Sequence, residues 1–207
     1  MKNLLLISII IFFGLTNISA QSVKYGSRIG INIANINGDE TDELTTRTSL
    51  HAGVIAEIKI SDYFAVQPEL LYSAQGAKSD KSETLNGTTY HYKYIKLEYI
   101  NVPIMLKFYI AEGFSIEAGP QVGFLLTADR EFEAINNGET EKGSEDIKDQ
   151  LKEFDFVLSF GGGYKLDSGV FIAARYNLGL SDINNIEGAN NSKNQNEVIQ
   201  ISIGYFF

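Results

Sequence analysis

Arg28, Glu57, Lys59, Glu69, Lys107, Glu117, Asp155 and Arg175 each interrupt a stretch otherwise rich in Ile, Val, Leu, Phe and Tyr. Charges placed this way serve one of two chemistries. They line an aqueous channel, or they neutralise one another inside a closed core, because an unpaired buried charge is costly. Four are cations and four are acids, so a neutral set is arithmetically available. We therefore expect a lumen charge network that acts as a plug.

Catalytic chemistry is sparsely equipped. The chain has two histidines and no cysteine, which excludes disulfides, thiolate metal sites and thiol nucleophiles. His91, in TTYHYKYIK, has no partner at a spacing that supports catalysis and reads as a polar rim residue; His51 reads as part of the lumen network. No cofactor or metal site is implied. Gly161-Gly162-Gly163 lacks the Lys-Ser/Thr that follows a phosphate loop and lies in a strand pattern, where close packing or curvature explains it better. Residues 128–153 hold nine acids and four bases without EF-hand spacing. That stretch is expected to be a solvated loop, with SEDIKDQLKE (144–153) as a short surface helix. The net charge of −9, with no basic patch, argues against nucleic acid.

The elements that must hold these charges alternate with period two. Eight segments do so: 28–36, 50–60, 64–74, 99–110, 114–126, 154–164, 170–180 and 198–207. One face of each is almost purely Ile, Leu, Val, Phe, Tyr and Ala. The other carries the charges among Gly, Ser, Asn and Gln. Short connections (61–62, 111–113, 166–169) alternate strictly with long polar ones (37–48, 76–91, 128–153, 181–196). That pattern predicts an all-β, eight-stranded antiparallel transmembrane β-barrel, an up-and-down meander with short periplasmic turns and long external loops.

Interior space decides the facing. Eight strands enclose only enough room for side chains, so Gly, Ser and paired charges fit inside where Phe and Ile at every position would overpack. Ile31, Val54, Ile104, Phe156 and Ile201 are expected to meet lipid. Tyr25, Tyr63, Phe64, Tyr72, Phe108, Tyr109, Phe114, Tyr164 and Tyr205 suit interfacial girdles. Apolar residues change from odd to even positions near Glu98-Tyr99, which predicts a β-bulge. Pro68, Pro103 and Pro120 inside strand patterns call for bulges or strand ends.

The first residues are a separate element. Lys2, the apolar run LLLISIIIFFGL and the small residues of ISA before Gln21 read as a signal peptide, 1–20, cleaved after Ala20. The run is too short to span a bilayer as a helix. The barrel domain is then 21–207. Its end places Ile199, Ile201, Ile203, Tyr205 and Phe207 on one face, as a lipid-facing wall would.

Taken in order, YGSRIGINIANINGD, EYINVPIMLKFY, ARYNLGLSDI and ISIGYFF resemble the PorT-like outer-membrane β-barrel family of Bacteroidota. The resemblance covers 21–207. It implies residence in the outer membrane of a Gram-negative bacterium, with outer-membrane lipids as partners. It also implies that Ile203, Tyr205 and Phe207 form an assembly signal read by the barrel-assembly machinery. One branch of that family serves type IX secretion and gliding, so secretion-complex or surface proteins are candidate partners. The expected function is a structural, adhesion or secretion-accessory role without catalysis. A lipid-modifying outer-membrane enzyme and a narrow channel stand as the alternatives.

Overall fold

The strands are β1 Val23–Gly38, β2 Leu44–Lys59, β3 Phe64–Ser79, β4 Ser82–Leu85, β5 Thr88–Ala111, β6 Phe114–Asn136, β7 Glu139–Asp146, β8 Phe154–Lys165, β9 Val170–Gly179 and β10 Asn194–Phe206. The structure, a computed structural model, describes residues 23–39, 41–185 and 193–207. The expected signal peptide lies outside the described residues.

Eight of these strands make a ring. β1, β2, β3, β5, β6, β8, β9 and β10 pair antiparallel in that order, and β10 returns to β1, with Ile31 opposite Ile201. Closure removes every free edge from the wall, the condition for a sheet to cross a hydrocarbon layer. β4 and β7 stand outside the ring, added to the far ends of β5 and β6.

The outward face of β5 measures the membrane. Ile110, Phe108, Leu106, Ile104, Val102 and Ile100 point out in succession, and the next outward residue is Glu98. That apolar run is about 33 Å of strand, or about 25 Å in height at the usual tilt, which matches the apolar band of such barrels. Aromatics mark both margins. Tyr72, Phe124 and Phe154 lie level with Ile100. Tyr63, Phe64, Phe108, Phe114, Tyr164 and Tyr205 lie near the short turns, all exposed. Tyr109 departs from the expected girdle: it is buried, because odd positions of β5 face the lumen. Ile31, Val54, Ile104, Phe156 and Ile201 are exposed, while Arg28, Glu57, Lys107 and Arg175 are buried.

A register shift occurs between Glu98 and Tyr99, where a bulge is expected. Its form is different, however. Across this shift β5 keeps one phase, and β6 carries the extra residue: Glu98 faces Thr127 while Tyr99 faces Leu125, leaving Leu126 over. The odd-numbered Ile95 and Leu97 therefore stay inward. The three prolines end no strand; β5–β6 pairing lapses between Pro103–Gln121 and Leu106–Ala118, as expected where an N–H is missing.

The long connections need the largest correction. Most of 128–153 is strand, because β6 continues to Asn136 and β7 pairs back along it. Likewise β3 runs to Ser79 and β4–β5 form a hairpin. Asn86-Gly87 and Asn137-Gly138 close these two hairpins with positive φ at both residues, the conformation that favours Asn-Gly. Beyond the membrane, β4, β5, β6 and β7 form a four-stranded external sheet. The expected helix at 144–153 reduces to one 3-10 turn, Lys148–Gln150. Its flanking Ile147 and Leu151 fold against the barrel mouth.

Candidate functional site

From the short-turn end upward, the lumen is filled in layers. At the lowest, Glu57 accepts from Lys107 Nζ at 3.1 Å, Lys165 Nζ at 2.6 Å and the Tyr109 hydroxyl at 2.5 Å. Lys107 also donates to Gln67 Oε1 at 3.1 Å, and Gln67 in turn donates to Glu69 at 2.6 Å.

The middle layer centres on Glu69. Arg28 Nη1 lies 3.2 Å from both its oxygens. Arg175 grips the same carboxylate through Nη1 at 3.1 Å and Nη2 at 2.9 Å. Arg175 Nε also donates to Glu117 at 2.9 Å. Two guanidiniums thus share two carboxylates with nearly no exposure. Buried charges persist where geometry satisfies their donors and acceptors.

Above it lies a relay of neutral groups. Arg28 Nη2 donates to Ser202 Oγ at 2.5 Å. Ser202 Oγ lies 2.8 Å from His51 Nε2, and His51 Nδ1 lies 2.8 Å from Asn32 Oδ1. A neutral ring with its proton on Nδ1 satisfies every contact, since Oδ1 only accepts and also receives Gln200 Nε2 at 3.0 Å. The order Ser, His, Asn resembles a nucleophilic triad, yet all three are buried and hydroxyl and ring are committed to neighbours. Gly30 makes room for this ring: a Cβ there would stand 2.6 Å from His51 Cε1 and 2.1 Å from the Ile201 carbonyl.

The external end of the lumen is apolar. Ile36, Ala77, Leu97, Tyr99, Leu125, Ala128, Ile147 and Ile183 form one buried cluster, backed by Leu44, Ile95 and Leu151. It caps the charged layers against the outside. Among the described residues, the void beside Arg28, Gln67, Lys107 and Glu117 amounts to only about 10 Å³, about the room of one water. The closed interior has an electrical consequence. Refolded into a planar bilayer, the protein should give no conductance steps above the lipid background; regular steps would contradict the packing.

Six of the eight expected network residues meet one another: Arg28, Glu57, Glu69, Lys107, Glu117 and Arg175. Lys59 and Asp155 do not. Lys59 ends β2, and Glu57, two residues earlier on the same face, is already held by Lys107 and Lys165. Its ammonium lies over the Tyr109 ring instead, 5.6 Å from the centroid. Asp155 sits higher, among neutral donors, and accepts from Ser181 Oγ and Asn196 Nδ2, each at 2.8 Å. Lys165 was not anticipated, although it is in phase with Gly161 and Gly163, two inward positions of the same strand. Ser202, Asn32 and Tyr109 are further members without a motif of their own. Ile203, Tyr205 and Phe207 all point outward. His91 stands on the external hairpin, its Nδ1 2.6 Å from Ser82 Oγ. Among the described residues, no three His, Cys, Asp or Glu side chains are placed to share a metal ion.

A closed eight-stranded ring with an outward apolar band, aromatic margins and an ion-paired interior defines an outer-membrane β-barrel. The chain belongs to the outer membrane protein β-barrel domain family, which it matches over residues 19–185. Among solved structures it is similar to Neisserial surface protein A (NspA), with 12% identity, TM-score 0.50, and coverage of 90% of this chain and 99% of that one. Ail, the attachment invasion locus protein of Yersinia pestis, aligns with 12% identity and TM-score 0.48 over 89% of this chain and 98% of that one. OprG from Pseudomonas aeruginosa aligns with 13% identity and TM-score 0.41 over 90% and 97%. These likenesses concern the fold. No curated protein matches the sequence.

Proposed function

We propose that this protein is a non-catalytic anchor: a plugged barrel that holds an external β-sheet at the cell surface for contact with other surface or secretion-complex proteins. The observation that carries the reading is the length of β5 and β6. They contain 24 and 23 residues, whereas about 9–11 cross the membrane. The surplus projects as a sheet bearing an aromatic row, in which Tyr90 and Tyr92 stack edgewise on Phe132 at 5.6 and 6.3 Å. Ion pairs such as Lys93–Glu133 at 3.3 Å brace it. Aromatic residues outside the membrane, beside a groove of about 290 Å³ lined by Leu85, Tyr90, Tyr92 and Phe132, suit recognition better than solvation.

The finer assignments rest on sequence. The four stretches named above support the PorT-like family of Bacteroidota, and the leader supports export with cleavage after Ala20. A Tyr90→Ser, Tyr92→Ser, Phe132→Ser triple variant, returned to a gene deletion, should leave folded barrel in the membrane. It should reproduce the deletion's changes in the surface and secreted proteome. Full rescue by the variant would remove the external sheet from the function, and altered lipid acylation in the deletion would favour an enzyme.

The proposed assembly signal has its own test. Phe207 is 75% exposed and touches Tyr205 at 5.8 Å, so as wall alone its removal costs well below the roughly 3–5 kcal/mol of a buried aromatic. Phe207→Ala should therefore refold in vesicles almost as well as the parent, yet accumulate poorly as folded barrel in cells. Equal losses in both assays would make the residue wall and not address.

A further inference from the structure

The short-turn end opens into a basin of about 640 Å³ lined by Lys24, Lys59, Lys165, Tyr109 and Phe206. Lys107 is buried in the lumen and shares the Tyr109 ring with the lining lysines. Three ammonium groups crowd there: Lys59, Lys107 and Lys165 lie 5.6, 5.5 and 5.2 Å from the centre of the Tyr109 ring. Lys107 and Lys165 also lie 5.8 and 5.1 Å from the Phe206 ring. Of the three, Lys107 and Lys165 form ion pairs with Glu57, and Lys59 forms none among the described residues.

The charges do not balance. Among the described residues, no second carboxylate, the chain-terminal one included, forms an ion pair with any of the three. The residues before Val23 contain no acid to supply one. Around the Tyr109 ring there are therefore three positive charges and one ion-paired carboxylate, while Lys24 lines the basin as a further cation. Like charges held this close in a partly enclosed space repel strongly, and the ring faces relieve only part of that. Asp62, Glu112 and Asp167 stand exposed on the surrounding turns, where water screens them. They leave the excess on the floor unmatched.

We propose that this basin binds the phosphate group of a ligand arriving from the periplasm. A compact dianion matches the local surplus of two cations. Lysine ammoniums serve phosphate as point-charge donors that can approach from several directions. The rim acids disfavour a long polyanion lying across the turns, so a single phosphate group suits the opening. The acidic external hairpins, sealed off by the apolar cap, leave the periplasmic side as the route of entry. The group is a soluble phosphate monoester or the monoester headgroup of a phosphatidic-acid-type lipid in the inner leaflet; the two share the chemistry and differ in the test.

The full-length barrel, refolded in dodecyl maltoside, is titrated with inorganic phosphate near neutral pH and followed by 31P resonance. Saturable binding to one site is expected. Affinity should fall about tenfold in Lys59→Gln, and about as much on raising salt from ~50 to ~500 mM. Lys59 holds no ion pair, so its replacement leaves the network standing, and a heat-modifiability gel checks the fold. Lys81→Gln, at the external end, should bind like the parent. Phosphatidic acid is then added to the same micelles. Displacement of phosphate identifies a headgroup site, and no displacement identifies a soluble ester; each supports the basin. Absence of saturable phosphate binding, or equal weakening by Lys59→Gln and Lys81→Gln, would overturn it.

Discussion

Glu69→Ala is expected to destabilise the folded barrel by about 3–5 kcal/mol, the range for removing one partner of a buried ion pair. Among the described residues, Glu69 is the only carboxylate bonded to both Arg28 and Arg175. Its loss leaves Arg175 with Glu117 and leaves Arg28 with only the hydroxyl of Ser202. Urea unfolding of the refolded barrel in vesicles measures the difference. A change no larger than that of an exposed salt bridge, such as Lys152→Ala opposite Asp182, would show that solvent reaches the middle layer. Adding Arg28→Met to Glu69→Ala should recover part of the loss, because the uncompensated cation goes with it.

Ile104→Arg should cost about 2–4 kcal/mol, the penalty for a guanidinium at the lipid midplane of a barrel. Ile104 lies in the middle of the outward run from Ile110 to Ile100 and is 48% exposed, so it belongs to the outer wall and not to the packed lumen. The cost is that of placing the charge in hydrocarbon. Depth provides the control. Thr127→Arg, outward but beyond the band, should cost little. Equal penalties at both positions would mean that the band has been placed wrongly along the strands.

The barrel wall was legible because water, lipid and lumen sort side chains by alternation. Gly30 beside Ile31, or Lys107 beside Phe108, is enough to place each on its face. Legibility failed where that contrast vanishes. Above the membrane both faces of a strand are wet, so residues 88–91 and the acidic β7 read as polar loop, although Asn86-Gly87 and Asn137-Gly138 carry a hairpin signal. Within the lumen, apolar inward residues broke the expected contrast in the other direction. Ile95 and Leu97 look like a phase slip when the interior is taken as all polar, whereas they belong to the apolar cap. The partners in the charge network were only partly legible. Alternation assigns a residue to the inside but not to a level, and level separates Asp155 from the arginines and brings Lys165 to Glu57. Ser202 joins His51 and Asn32 only through ring closure, which pairs the last strand with the first.

The facing of the strands is the central claim, and the absence of cysteine makes it directly measurable. Single cysteines placed in turn at positions 100 to 108 of β5 are labelled with an environment-sensitive fluorophore after refolding in vesicles that contain spin-labelled lipid. Quenching should alternate. Labels at Ile100, Val102, Ile104, Leu106 and Phe108 are expected to be quenched strongly, while Asn101, Met105 and Lys107 resist labelling or escape the quencher. An inverted pattern, or uniform quenching along the strand, would contradict a barrel with its charges inside and its apolar face in lipid.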